Sequence, residues 1–93
     1  MDVNKFIPKA IELVTDYANK HLDVTDKASI TSGDVYVVWY SKTLQNAKAL
    51  LSTTLPDGMY YEVTYNGNRN EIYFDAYKKF ENQRIECSPQ RGE

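Results

Sequence analysis

The segment that decides the fold runs from residue 35 to residue 77, VYVVWYSKTLQNAKALLSTTLPDGMYYEVTYNGNRNEIYFDAY. It contains the only tryptophan and seven of the eight tyrosines of the chain. Turn-forming residues separate four strand-like stretches, 35–41, 47–54, 59–65 and 71–77, whose successive side chains we assign to alternate faces. A period of two is typical of half-buried strands. The pattern therefore predicts four strands joined as an antiparallel meander.

The turn residues predict how these strands pair. Residues 55–59, LPDGM, fit a three-residue loop in which glycine takes the left-handed position. Asn66 and Gly67 form the commonest two-residue hairpin signal, which would place Tyr60 opposite Tyr73. A four-residue loop would leave every side chain on the same face, whereas a one-residue slip would move them all.

One face of the predicted sheet is expected to form the core. Its members alternate along the four strands: Val37, Trp39, Ala49, Leu51, Tyr61, Val63, Ile72 and Phe74. The opposite face would then carry five tyrosines: Tyr36, Tyr40, Tyr60, Tyr73 and Tyr77. Val38 and Leu50 would join them, which makes this second face too apolar for an ordinary solvated surface.

The N-terminal segment predicts a helix. Residues 3–22, VNKFIPKAIELVTDYANKHL, place apolar side chains at three- and four-residue spacing, with charged side chains opposite. Pro8 is tolerated only in a first turn, so the helix should begin near residue 5 or later. The polar residues 23–34 predict a loop. The expected fold is α+β, with this helix packed on the core face of the sheet.

The C-terminal segment leaves two interpretations open. Residues 75–87, DAYKKFENQRIEC, either form a short helix or continue a strand end into irregular chain. The last residues, 88–93, predict a flexible tail on a single domain of residues 1–87.

Composition excludes several classes of protein. Cys87 is the only cysteine, so neither an intrachain disulfide nor a thiolate zinc site is available. The formal charge of −2 is spread without a basic block, which argues against binding to duplex nucleic acid. The longest apolar run, residues 35–40, is too short to span a bilayer, and no signal peptide is apparent. A cytoplasmic protein without cofactor, metal or membrane partner is expected.

Candidate catalytic residues do not form a set. His21 is the only histidine and lies near the end of the predicted helix. Glu62 and Glu71 could lie side by side on the tyrosine face, and Cys87 has no histidine near it in sequence. Because no group of residues fills the roles of acid, base and stabiliser, the sequence predicts a protein that is not an enzyme.

Three interpretations of the tyrosine face remain. A C-terminal helix or the 23–34 loop could cover it as core. It could bind a protein, including a second copy of the chain in a homodimer, because tyrosine is enriched at interface hot spots. It could instead stack bases of single-stranded nucleic acid. That alternative is disfavoured, because Glu62, Glu71 and Asp75 outnumber Lys48 on the face.

Three stretches, VYVVWYSKTLQN, KALLSTTLPDGMYYEVTYNG and DAYKKFEN, together give the chain a family resemblance over about residues 5–82. It resembles small uncharacterised proteins encoded by phages and prophages of Gram-positive bacteria, grouped as a domain of unknown function. The resemblance implies a protein of the bacterial cytoplasm and assigns no catalytic residue. It also implies an accessory role in which the chain binds a host or phage protein, with a structural subunit of a phage particle as the weaker option.

Overall fold

The computed structural model describes residues 1–22 and 29–88, and it shows one helix packed on a four-stranded antiparallel sheet. The strands are neighbours in chain order, β1-β2-β3-β4, as a meander requires. The elements are a 3-10 turn at Val3–Lys5, α1 at Phe6–Lys20, a second 3-10 turn at Ser32–Asp34, β1 at Val35–Thr43, β2 at Asn46–Thr53, β3 at Met59–Asn66 and β4 at Glu71–Lys78. The predicted fold class is confirmed.

The N-terminal helix begins where its proline allows. Pro8 lies in the first turn of α1, where its missing N–H would have no partner in any case. Ahead of α1, the Asp2 side chain accepts a hydrogen bond from the Asn4 N–H at 3.0 Å. The helix buries the side chains that recur on one face: Phe6, Ala10, Val14 and Ala18. No helix in residues 1–22 or 29–88 is long and apolar enough to cross a membrane.

The core lies between α1 and one face of the sheet. β1 adds Val35 to the buried apolar sheet residues, most of which alternate along the two central strands: Ala47, Ala49, Leu51, Tyr61, Val63 and Tyr65. Val37, Ile72 and Phe74 pack against this cluster from the edge strands and are partly buried. Tyr17 of α1 lies 5.2 Å from Phe74 and 5.5 Å from Tyr61 between ring centroids. All the predicted core residues except Trp39 therefore lie where the pattern placed them.

Two connections are longer than the predicted turns. Residues 54–58 join β2 to β3, so Leu51 pairs with Tyr61 and the three-residue loop is wrong. The Thr54 N–H donates to the Asp34 carbonyl at 3.0 Å, which draws residue 54 out of the β2–β3 ladder. The left-handed position of Gly58 is confirmed by its φ of +69°.

The β3–β4 loop covers the four residues 67–70 instead of the predicted two, a length that keeps the same faces. The Asn66 side-chain oxygen accepts hydrogen bonds from the N–H groups of Asn68 and Arg69, at 3.1 and 3.3 Å. This Asx-type turn stabilises a wider loop than the two-residue hairpin. Tyr60 consequently pairs with Tyr77 instead of Tyr73. In both hairpins the observed strand pairing is shifted from the predicted pairing by an even number of residues. The side chains of β3 and β4 therefore stay on their predicted faces.

A bulge in β1 reverses the faces of its second half. Val37 pairs with Leu51 and Trp39 with Leu50, so Val38 is an extra residue in the strand. Trp39 therefore points away from α1 and is 42% exposed, which contradicts its predicted place in the core. Tyr40 lies on the helix side, with its ring stacked at 6.1 Å from Phe6, so its predicted place on the opposite face is also wrong.

The C-terminal segment follows the second of its two interpretations. β4 continues to Lys78, and residues 79–88 have no helix or strand and are exposed. The predicted 88–93 tail lies outside the described residues apart from residue 88, and so does the 23–28 part of the predicted loop. The rest of that loop contains the Ser32–Asp34 turn, where Asp34 and Thr31 form a capping box.

The β1–β2 turn contains a strained residue that offers a stability test. Leu44 has a φ of +56°, which is a left-handed backbone conformation. Its side chain is 84% exposed, so burial of the leucine does not offset the steric cost of that conformation. Leu44→Gly should raise the free energy of unfolding by about 0.5–1 kcal/mol, because glycine adopts this conformation without steric cost. Urea denaturation followed by circular dichroism would measure it. A decrease would show that the leucine side chain stabilises the turn by contacts that its exposure does not suggest.

Candidate interaction surface

The face of the sheet opposite α1, called here the outer face, displays five aromatic rings. They come from three of the four strands: Tyr36, Trp39, Tyr60, Tyr73 and Tyr77. Four of these positions match the predicted tyrosine face, and Trp39 takes the place that was expected for Tyr40. Tyr36, Tyr73 and Tyr77 are each about half exposed, at 48%, 50% and 53%. Aromatic side chains at this density on one accessible face are typical of a binding surface.

Three of the rings form a line across the sheet, called here the aromatic row: Tyr36, Tyr60 and Tyr77. Tyr36 pairs with Ser52, Ser52 with Tyr60, and Tyr60 with Tyr77. Ser52 is buried even though it faces outward, and its hydroxyl donates to the Met59 carbonyl at 2.8 Å. The small serine thus forms a floor between two taller rings, and its polar atom is already satisfied.

A cleft of about 360 Å³ lies beside this floor. Two rings of the aromatic row, the β2–β3 connection and the chain after β4 contribute to its walls: Tyr36, Ser52, Leu55, Pro56, Tyr60 and Lys79. The Lys79 ammonium lies 6.0 Å from the Tyr60 ring centroid, at the outer limit of a cation–π contact. The backbone N–H of Lys79 also donates a hydrogen bond to the Gly58 carbonyl at 2.7 Å, which holds the chain after β4 against the β2–β3 connection. Both apolar and polar groups therefore border the cleft.

The charged groups of the outer face are arranged differently from the sequence expectation. Glu62 pairs across strands with Asp75, not with Glu71, and the Lys48 ammonium lies 3.2 Å from the Glu62 carboxylate. The Tyr73 hydroxyl donates to Glu71 at 2.6 Å. That hydrogen bond and the negative charge of Glu71 raise the pKa of Tyr73 above its ordinary value, because both disfavour the phenolate.

The basic side chains do not gather on the outer face. Lys48 lies there, but it is paired with Glu62. The β1 bulge moves Lys42 to the helix side, where its ammonium donates to the Asn4 side chain at 3.2 Å. Arg69 belongs to the β3–β4 loop. Lys79 lies over Tyr60, four residues along β3 from Thr64, the partner of Lys48. Among the described residues, the cations of this face are therefore not clustered as binding to a phosphate backbone requires.

The candidate catalytic residues remain apart. His21 lies just after α1, stacked at 4.0 Å on Tyr17, and its Nδ1 lies 2.8 Å from the Tyr17 carbonyl oxygen. Cys87 is exposed in the irregular C-terminal segment. Within the part of the chain that the structure describes, no group of three His, Cys, Asp or Glu side chains could hold a metal ion.

The predicted helical cover of the outer face is missing from the described residues. Residues 79–88 form no helix, and Phe80 in this segment is 96% exposed. Sequence reasoning did not identify the cleft, because Tyr36, Tyr60 and Lys79 come from β1, from β3 and from the chain after β4. It misplaced Trp39, because residues 35–40 are uninterrupted apolar sequence and show no alternation. The absence of alternation in residues 35–40 is the sequence signal that could have suggested an irregular strand.

Neither a curated protein nor a solved structure matches the chain. One family model matches residues 7–87, a range that contains α1 except its first residue, all four strands, the aromatic row and the cleft. This match covers most of the chain, and the protein therefore belongs to the family of unknown function DUF6275.

Proposed function

We propose that this protein is a non-enzymatic interaction module that binds a host or phage protein through the aromatic row and its cleft. The accessible line of Tyr36, Tyr60 and Tyr77 across an otherwise regular sheet carries the proposal. The resemblance to small phage and prophage proteins supports a site of action in the bacterial cytoplasm. A second copy of the chain is the simplest alternative partner.

The chemistry of the row suits a protein partner. Tyrosine combines a large apolar ring with a hydroxyl, so it gains contact area and a hydrogen bond at little conformational cost. Ser52 keeps the space between two of the rings open, and the cleft beside it has the volume of a side-chain pocket. Interface hot spots commonly consist of an anchor side chain in such a pocket, surrounded by aromatic residues.

Single-stranded nucleic acid is the alternative ligand for exposed sheet aromatics. Lys42, Lys48 and Arg69 would have to line the tyrosine face for this function, and they do not converge there. The acidic side chains Glu62 and Asp75 lie opposite each other in the middle of the same face. Repulsion between these carboxylates and a phosphate backbone favours the protein partner.

The test is a double substitution in the row. Tyr60→Ser with Tyr77→Ser removes two cross-strand rings, and we expect affinity for the partner to fall about 100-fold or more, or about 3 kcal/mol, because two hot-spot residues are lost. The wild-type chain would be used as bait in bacterial lysate, with and without nuclease. The affinity of the recovered protein would then be measured by calorimetry with both forms.

Leu44→Gly is the matched control, because it removes an exposed apolar side chain outside the row and the cleft. It should bind as the wild type does, and circular dichroism should show all variants folded. Recovery that disappears with nuclease would instead support nucleic acid. A protein that binds the double variant equally well would exclude the row as its contact surface. A concentration-dependent dimer that the double variant abolishes would identify a second copy as the partner.

A further inference from the structure

A second depression lies on the outer face, at the end of the sheet formed by the β1–β2 turn and the last residues of β3. Its volume is about 490 Å³. Its lining includes the Trp39 indole, part of the buried Tyr65 and several polar side chains, among them Ser41, Asn46, Lys48, Thr64 and Asn66. None of these residues belongs to the aromatic row or to its cleft, so the depression is a separate feature.

Trp39 supplies a flat apolar surface in this depression. The Val38 bulge turns the indole outward, and 42% of the residue stays accessible. The face of an aromatic ring carries partial negative charge, so it attracts polarised C–H groups as well as burying apolar area. A ligand with one flat face of C–H groups would therefore fit against the indole.

The polar groups around the indole can donate and accept hydrogen bonds without carrying charge. Ser41 and Thr64 each provide a hydroxyl, which serves as donor or acceptor. The side-chain oxygens of Asn46 and Asn66 are held by backbone N–H groups, Gly67 at 3.0 Å for Asn46 and Asn68 at 3.1 Å for Asn66. These contacts fix both amides in place, and each keeps an NH2 group as a donor. The depression thus combines the flat apolar indole of Trp39 with several neutral hydrogen-bonding groups.

The local charge disfavours an anionic ligand. Lys48 is the only cation that lines the depression, and it forms an ion pair with Glu62 at 3.2 Å. Asp75 faces Glu62 from the neighbouring strand. A phosphate or carboxylate ligand at Lys48 would have to compete with this ion pair. A neutral ligand avoids that cost.

From this combination we infer that the depression is a binding site for a neutral saccharide. A pyranose ring has one face of C–H groups, which stacks on the Trp39 indole, and a rim of hydroxyls, which reaches Ser41, Thr64 and the amides of Asn46 and Asn66. The inference is independent of the proposed protein interaction, because it uses different residues of the outer face.

Trp39 is the only tryptophan, so its fluorescence reports on this depression directly. The full chain would be titrated with neutral hexaoses of glucose, mannose and N-acetylglucosamine, in α- and β-linked forms, and with pyrophosphate and oligothymidine as anionic probes. At least one neutral hexaose should change the Trp39 emission and release heat in calorimetry below about 10 mM, a concentration at which weak specific sites are occupied.

Two substitutions separate this site from the rest of the face. Thr64→Val keeps the shape of the strand residue but removes one hydroxyl, and it should weaken saccharide binding about tenfold. Tyr77→Ser lies in the aromatic row, outside the depression, and should bind saccharide as the wild type does. For the protein partner we expect the opposite: Tyr77→Ser should weaken binding and Thr64→Val should not. Each proposal can therefore be contradicted without the other.

Several results would overturn the inference. One is the absence of any fluorescence or heat change with every hexaose up to about 10 mM. Another is unchanged binding in Thr64→Val. A third is tighter, salt-dependent binding of pyrophosphate or oligothymidine, which would show that the depression selects anions.

Discussion

Replacing Phe6 by alanine should destabilise the fold by about 3–5 kcal/mol, the usual range for a buried phenylalanine. Phe6 is fully buried at the start of α1, and its ring lies 6.1 Å from Tyr40 and 6.4 Å from Tyr65. The substitution would leave a cavity between the helix and two strands. Small domains have total stabilities near the lower end of about 5–15 kcal/mol, so the variant should be partly unfolded at 37 °C. Urea denaturation followed by circular dichroism measures the difference.

Phe6→Leu is the control for this prediction. It retains most of the buried volume and should cost about 1 kcal/mol, with loss of the aromatic contacts as the main cause. A Phe6→Ala variant as stable as the Leu variant would show that α1 does not depend on this contact, and that the helix is held mainly by Val14 and Ala18 further along.

Deleting Glu62 is expected to unfold most of the protein, whereas deleting Val38 should leave it folded. Val38 is the extra residue of the bulge, so its removal restores regular pairing and keeps Trp39 outside and Tyr40 inside. Glu62 lies in regular β3, and its removal would turn Val63 and Tyr65 to the outer face or Tyr61 away from the core. Loss of two buried side chains costs about 3–6 kcal/mol, close to the whole stability of a small domain.

The measurement for this pair combines denaturation with the emission of Trp39. The Val38 deletion should keep the emission maximum of an exposed indole and a cooperative transition, within about 1.5 kcal/mol of the wild type. A blue-shifted emission would mean that Trp39 has entered the core, and a non-cooperative transition would mean that the bulge is required for folding. Either result would contradict the role of Val38 as a spare residue.

The strand faces of β2, β3 and β4 could be predicted from sequence because each alternates. Ala49 and Leu51, then Tyr61 and Val63, then Ile72 and Phe74 all lie on the helix side as expected. This prediction survived two wrong turn lengths, since the observed connections shift the register by even numbers of residues. The positions of Tyr60, Tyr73 and Tyr77 on the outer face followed from the same alternation, and Tyr36 also lies on the predicted face. The role of these tyrosines in binding remains a prediction.

The second half of β1 could not be predicted, because Val35 to Tyr40 are all apolar and offer no alternation to read. Contacts from elsewhere in the chain decide it. Val35 is buried and Val37 partly buried on the helix side, and Phe6, some thirty residues earlier in the sequence, takes Tyr40 as its ring partner. An extra residue between Val37 and Tyr40 satisfies both requirements, and the bulge at Val38 provides it.

The sequence by itself therefore determined the α+β class, the meander and the face of every alternating strand, because a hydrophobic period of two has only one favourable orientation against a core. Tertiary structure alone decided which of two adjacent rings, Trp39 or Tyr40, faces outward, and it assembled the cleft from Tyr36, Tyr60 and Lys79. Those features depend on packing between segments that are distant in the chain, and local patterns contain no information about such packing.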